Sequence, residues 1–444
     1  MTTVSINAAP AINQSVTERR RQFVVRAVFF IFILSLIEGP LRKWFLPGLA
    51  TPLTVLRDPI VIALYGYCFI KAQIQTQGWA ALWLGFAAIT VVVGFVQYWV
   101  VGLPSWGWLL GVRTYWLYMP LAFVVAKTFR MEDIHTFFKL CLWISIPYAL
   151  LVASQYNAPA EAFLNQGVGA DAEATVGVAD GIVRPFGLFT YTGPNVQFTA
   201  FMIAVWVAFY ISQAPMKRRA YFIWGSAVAV GSMAVLTGSR SIYFLAAMIV
   251  AFTLGGMLVT RPNAKGLRWG LGIMGFVGLA GFLFVFMFPD MLAAMGIRFE
   301  RAASAEGSLL NRAVGGLTRW IDPLFTAPVF GMGIGAGAPG VARLLGLPAL
   351  LYGESDLQRN INELGVLLGA MMLALRFGTV FWVVASSLKA AYHQHLIVLP
   401  LAGFVVFPFL MGQITHSPLI AFLVWLTLGL IFVICRDWRS SRAP

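Results

Sequence analysis

The chain has 444 residues, 59% of them hydrophobic and only 11% charged, with a mean hydropathy of +0.81. A soluble domain carries about a quarter charged residues, so the composition excludes one and points to a polytopic membrane protein. The formal net charge of +14 would suggest nucleic acid in a soluble protein. Here the basic residues set membrane topology instead, and no nucleic-acid partner is expected.

A hydrocarbon core of about 30 Å takes about 20 apolar residues per helical crossing. The long, continuous apolar runs predict helices and not the short alternating strands of a barrel. Residues 1–16 are polar, an expected disordered stretch. Glu18-Arg19-Arg20-Arg21 leads into a run too long for the core of a signal peptide, and no small-residue cleavage site follows it. Twelve spans are then expected, at 22–37, 53–70, 79–97, 107–126, 136–153, 193–212, 220–237, 241–259, 267–288, 362–386, 396–411 and 418–435. No internal repeat stands out, which disfavours the inverted-repeat transporter folds.

With the N-terminus inside, each inner segment carries cations. These are Arg19 to Arg21, Lys71, Lys127 and Arg130, Lys217-Arg218-Arg219, Arg261, Lys265 and Arg268, Lys389, and the C-terminal Arg436, Arg439 and Arg442. The even span count and the positive-inside rule agree. The expected organisation is a cytoplasmic tail (1–21), nine helices (22–288) with a periplasmic loop at 154–192, and a large periplasmic loop (289–361). Three helices (362–435) and a cytoplasmic tail (436–444) complete it. Cys68, Cys141 and Cys435 lie in or beside apolar runs without metal-site spacing, so neither a disulfide framework nor a thiolate metal site is expected.

Polar residues in this frame are few. "EGPLRKWFLP" (38–47) and "LRDPI" (56–60) place Glu38, Arg42, Lys43, Arg57 and Asp58 near the outer face, to pair among themselves or to bind lipid head groups. Arg113 and Arg376 fall within spans, where an ionisable residue is a functional hypothesis by default; structural pairing is the alternative. "FGLFTYTGPNVQF" (186–198) offers Tyr191 and Asn195 as sugar contacts or as helix-start residues, with Arg184 just before it. Arg240, in "LTGSRSIYF" (236–244), sits where two spans meet, flanked by Ser239 and Ser241. It is either an interfacial anchor or a ligand for an anion. The outer face is further rich in arginine at Arg298, Arg301, Arg312, Arg319, Arg343 and Arg359. Arginine presents a planar fork matched to phosphate oxygens and stays charged.

The segments "NRAVGGLTRW" (311–320), "APVFGMGIGAG" (327–337) and "GESDLQRNINELGVLLG" (353–369) carry a resemblance. Together with Arg240, the ordered series Asn311, Arg312, Trp320, Gly331, Gly333, Gly335 and Glu363-Leu364-Gly365 resembles the superfamily of O-antigen polymerases and O-antigen ligases, which includes exopolysaccharide polymerases. "GAGAPG" (335–340) fits a dinucleotide fingerprint, but no strand–helix unit surrounds it and it reads as a turn. Ligases, and many polymerases, carry a His-Asn pair before the last motif; this loop has no histidine, which favours a polymerase of the exopolysaccharide type over a ligase.

The resemblance implies a GT-C-like membrane glycosyltransferase that joins repeat units carried on polyprenyl pyrophosphate at the periplasmic face of the bacterial inner membrane. It implies membrane lipid as a second partner and a flippase, a chain-length regulator or export proteins as neighbours in the pathway. No metal and no cofactor are expected. Arg240, Arg312 and Arg359 are the expected catalytic cations, since fixed positive charge stabilises a departing diphosphate. The acceptor hydroxyl needs a general base, Glu354 first and Glu363 second; solvated loop charge and helix-start charge are their alternatives. His416, in "GQITHSP", is a reserve base. Arg184, Tyr191, Asn195, Ser239, Asn311, Arg319 and Trp320 are the expected substrate contacts. The competing readings are a ligase that moves polymer to the lipid A core and, from another class, a flippase or transporter of lipid-linked oligosaccharide.

Overall fold

The computed structural model describes residues 8–101, 105–168, 177–179, 182–212, 220–260, 320–337 and 355–440, with single positions at 270, 272, 275, 278, 315 and 318. The described chain is mostly helical. Its helices are α1 (Ala8–Pro40), α2 (Ala50–Leu53), α3 (Asp58–Ile70), α4 (Trp79–Val101), α5 (Ser105–Trp116), α6 (Met119–Thr128) and α7 (Met131–Asn157). They continue with α8 (Thr192–Ser212), α9 (Ala220–Leu236), α10 (Arg240–Thr260), α11 (Ile321–Thr326), α12 (Asp356–Tyr392), α13 (Val398–Met411) and α14 (Pro418–Ser440).

Among the described residues, nine helical stretches are long and apolar enough to cross a membrane, and Ala220–Leu236 and Val398–Met411 are shorter apolar helices. The expected span at 267–288 lies, apart from four glycines, outside the described residues. Several features differ from expectation, three of them informative. Helix α1 starts at Ala8, so residues 8–16 are helical, because Ala and Gln favour helix and no breaker follows Pro10. Helix α12 begins at Asp356, inside the expected loop, capped by the Ser355 side chain accepting from Gln358 N. The 154–192 loop holds a small antiparallel hairpin, β1 (Gly177–Ala179) and β2 (Ile182–Arg184), pairing Val178 with Val183. Asp180-Gly181 between the strands is a favoured two-residue hairpin sequence.

Helix α14 is apolar all round and sits amid its neighbours, as does α8; 89% and 83% of their span windows are buried. A helix without a polar face belongs inside a bundle. Small residues let backbones approach there: a Cβ on Gly429 of α14 would lie 2.8 Å from Val125 Cβ on α6, the packing device of membrane helices. Trp83, Phe409 and Trp425 interlock edge to face, with centroids 5.0 Å and 5.2 Å apart for the Trp83 and Phe409 contacts to Trp425. Phe69, Trp99 and Phe381 point outward instead, largely exposed.

Helix α12 is not one rod. Gly365 has φ 84° and ψ 171°, a conformation that L side chains avoid, and the chain reverses there. Residues 356–364 fold back along the helix that follows, so that a Cβ on Gly369 would lie 2.6 Å from Ile361 Cα. The pair packs through Leu357, Ile361 and Leu373, with Trp320 and Phe377 beside them. The end of the bundle that carries Gly365 is called the upper end below.

The reversal lies above the turn that joins α13 to α14. Arg376, bonded to that turn, is about 16 Å along the helix from Gly365 at 1.5 Å per residue. Helix α4 gives the same order of levels: its Trp83 donates to Thr379 Oγ1 at 3.0 Å, and its Tyr98 packs on Gly333 near the top. The α13–α14 turn therefore lies below the level of Gly365, and its last residue, Ser417, lines a cavity.

Candidate functional site at the recessed upper end

Helix α13 ends at this lower level with carbonyls that have no further turn to bond, as at any helix C-terminus. Arg376 caps them. Its Nε donates to Phe409 O at 2.9 Å, and Nη2 donates to Pro408 O at 2.9 Å and Gly412 O at 3.0 Å. Nη1 donates to Asp356 Oδ2 and Asn360 Oδ1, both at 2.9 Å. Asp356 in turn accepts from Thr415 N at 3.1 Å and Thr415 Oγ1 at 2.9 Å. Asn360 Nδ2 donates to Tyr115 Oη at 3.1 Å and Thr415 Oγ1 at 2.9 Å. Every prong of a fully buried guanidinium is thus satisfied, the condition under which a buried charge is tolerated. The expected intramembrane cation Arg376 is a structural clamp.

One turn further along the returning helix, Arg359 Nε donates to Glu363 Oε1 at 2.6 Å. The same carboxylate accepts from Gly337 N at 2.8 Å and Gly335 N at 2.9 Å. Met332 N donates to Asn362 O at 3.0 Å, and Gly333 N donates to Glu363 O at 2.9 Å. The glycine-rich turn 331–337 is thereby clasped onto the end of the short helix. Gly335 has φ 85°, and a Cβ there would lie 2.6 Å from Gly111 Cα on α5, so no larger residue fits. Glu363 accepts three hydrogen bonds, from a guanidinium and two amides. These bonds position the turn against the returning helix.

Arg359 is 4% exposed. Its Nη1 meets His416 Nδ1, while Nη2 is buried without a hydrogen-bond partner among the described residues. His416 reaches the surface as a residue, yet burial of the ring, with the Arg359 charge second, lowers its pKa below the ordinary histidine value. A neutral ring accepting from Arg359 at Nδ1 keeps its proton on Nε2.

Next to His416, Ser417 lines a cavity of about 250 Å³ between α1, the start of α3, α5 and the first turn of α14. Tyr191 Oη donates to Ser417 Oγ at 3.0 Å across one wall; burial raises the Tyr191 pKa, with the Ser417 bond acting against it. Three guanidiniums border the space. Arg42 donates from Nε to Ala50 O at 2.9 Å and from Nη1 to Glu38 Oε1 at 3.4 Å. Arg113 pairs with Asp58 and donates to Thr54 O at 2.7 Å. Arg57, 3% exposed, has Nε 2.6 Å from Glu38 Oε2, but neither Nε nor Nη1 makes a hydrogen bond among the described residues. Lys43 points elsewhere, donating to Gly187 O at 2.8 Å with its ammonium over the Phe186 and Trp44 rings.

Of the residues expected to form a site, Arg359 and Glu363 are brought together and Tyr191 lies one wall away. Asn195 is a buried brace, accepting from Tyr148 Oη at 2.6 Å and donating to Pro185 O at 2.7 Å. Trp320 packs on Phe377, ring centroids 6.2 Å apart. Arg184 ends β2. Ser239 lies in the α9–α10 connection, and Arg240 opens α10. Asn311, Arg312, Arg319 and Glu354 fall outside the described residues. Sequence reasoning missed Asn360, Thr415 and Tyr115. The spacing of Asp356, Asn360 and Glu363 was the available signal, since residues three and four apart share a helix face.

The buried ion pairs, the apolar helices and their outward-facing aromatics define a multi-pass helical membrane protein. Comparison with family profiles and with curated proteins returns no match.

Proposed function

We propose that the protein is a metal-independent glycosyltransferase of the O-antigen or exopolysaccharide polymerase type. It joins polyprenyl-pyrophosphate-linked oligosaccharide repeat units, with its upper end at the periplasmic face of the bacterial inner membrane and both termini in the cytoplasm. The observation that supports the reading is the clasp between Glu363 and the amides of Gly335 and Gly337. Two elements that the resemblance takes from separate stretches of chain meet in one unit, beside the Arg359 guanidinium, whose Nη2 has no hydrogen-bond partner among the described residues.

The acceptor hydroxyl attacks the donor's anomeric carbon, the bond to the diphosphate breaks, and the hydroxyl proton passes to a base. Negative charge grows on the departing diphosphate, and guanidiniums from Arg240, Arg312 and Arg359 stabilise it. Since the Glu363 carboxylate is already engaged, Glu354 is the base, two residues before the start of α12. Ser239, Asn311, Arg319, Tyr191 and Trp320 remain sugar contacts in this reading, and a flippase, a chain-length regulator or export proteins its pathway neighbours.

Purified full-length protein given a defined polyprenyl-pyrophosphate repeat unit tests this. A ladder of longer lipid-linked glycans is expected. Movement of the substrate across vesicles without new bonds would make the protein a flippase, and transfer to lipid A core alone would make it a ligase.

A further inference from the structure

We infer that the Arg42–Arg57–Arg113 cavity binds the phosphate group of a lipid. Three guanidiniums border it against the carboxylates of Glu38 and Asp58, leaving an excess of positive charge. Asp58 is spent on Arg113 and on Tyr118 Oη at 3.3 Å. Glu38 divides its two oxygens between Arg42 and Arg57. Three guanidiniums thus share two carboxylates, and Arg57, although its Nε lies 2.6 Å from Glu38, has the least satisfied edge. It is all but fully buried, rests over the Tyr118 ring at 5.4 Å, and keeps Nη1 without a hydrogen-bond partner among the described residues.

An unsatisfied buried guanidinium edge is costly unless an anion completes it. Phosphate oxygens match that edge and its planar fork. Two more features point the same way. Pro418 and Leu419, the first turn of α14, line the cavity, and helix N-termini favour anions. Ser417 supplies a hydroxyl already oriented by Tyr191. A carboxylate ligand would use one fork, whereas a phosphate can bridge Arg57 and its neighbours at once. The cavity holds a head group and not a glycan chain, being about 250 Å³.

The site rests on the transferase reading only for which lipid brings the phosphate, a polyprenyl diphosphate or a glycerophospholipid. The test is equilibrium binding of labelled long-chain polyprenyl diphosphate to full-length protein in a phosphate-free maltoside detergent, competed with phosphatidylglycerol and with inorganic diphosphate. Saturable binding is expected, weakened roughly ten- to hundredfold in R57Q through loss of a charge-assisted contact. E38Q removes the competing carboxylate and is expected to tighten binding about two- to fivefold. That gain keeps the test decisive if R57Q fails to fold, because a purely structural ion pair would give no tightening. Full competition by phosphatidylglycerol supports the site with a phospholipid as its source, and competition by diphosphates alone supports it with the donor as its source. Binding that is absent, or indifferent to both substitutions, overturns it. Binding that persists in a protein making no glycan chains would remove the transferase reading and leave the phosphate site standing.

Discussion

Arg376 donates to Asp356 at 2.9 Å across twenty positions of sequence, a distance no continuous helix allows. In a straight helix the two would stand about 30 Å apart. The contact exists because Gly365 turns the chain back on itself, and it fixes the returning helix against the end of α13.

Gly365→Ala is therefore expected to damage the fold. The positive-φ extended conformation alone costs an L residue about 1–3 kcal/mol, and the new methyl would collide with the Val329 carbonyl and lie 2.6 Å from Gly331 N. Gly255→Ala, inside α10 with nothing within 4 Å of the added Cβ, should instead be neutral or slightly stabilising. Thermal unfolding of the two variants in detergent checks the contrast; equal melting temperatures would contradict it.

Arg376→Leu leaves the Asp356 carboxylate buried with its main counter-ion gone. Breaking a buried pair from one side costs about 3–5 kcal/mol. The double variant Asp356→Asn with Arg376→Leu should lose less than the sum of the two single losses. A double-mutant cycle on unfolding measures the coupling, and strict additivity would show that the pair is not coupled.

Glu363→Gln keeps the shape of the clasp while removing its charge. A hydrogen bond to a charged group is worth about 1.5–3 kcal/mol, so a clear fall in stability is expected. If Glu363 only positions the turn, the fall in glycan synthesis follows the fall in folded protein and the pH–rate profile keeps its shape. A lost ionisation in that profile would assign the proton transfer to Glu363.

The lowered pKa of His416 fixes the sign of one pH effect. The unfolded chain takes up this proton near the ordinary value, about 6.5, while the folded chain takes it up only at lower pH. Stability therefore falls as pH drops below that ordinary value, until the folded ring also protonates. His416→Gln should flatten this part of the stability curve, and an unchanged curve would remove the ring from the account.

Arg240→Lys is expected to fail even when the protein is made in normal amount, since one ammonium cannot replace a two-pronged contact. By analogy with oxyanion-hole deletions the loss is about a hundred- to a thousandfold in rate. Arg343→Ala, a loop arginine given no role, should retain synthesis. Polymer formed by isolated membranes, normalised to protein, decides; near-normal synthesis by Arg240→Lys would make Arg240 a helix anchor.

The helices were legible because a membrane span is a composition problem: the α14 stretch is apolar on every face and has no other place to fold. The partnerships were not. Arg113 and Asp58 are both visible in sequence, but nothing in their spacing says that α3 and α5 touch. Glu363-Leu364-Gly365 reads as the start of a span because the period continues through Gly365, and only the backbone angle there reveals a reversal. The Arg57 cluster was legible as a group of charges; its membership was not, since nothing in the sequence brings Arg113 to it or turns Lys43 away to Gly187.

The cavity beside the α13–α14 turn has an electrical consequence. Charges on an open surface are surrounded by mobile ions, whose screening length is about 8 Å at physiological salt. The guanidiniums of Arg42, Arg57 and Arg113 instead border a cavity of about 250 Å³, where salt has little room and low-dielectric walls focus the field along the opening. Their pull on an anion is thus expected to weaken with ionic strength much less than that of an equal cluster of exposed arginines.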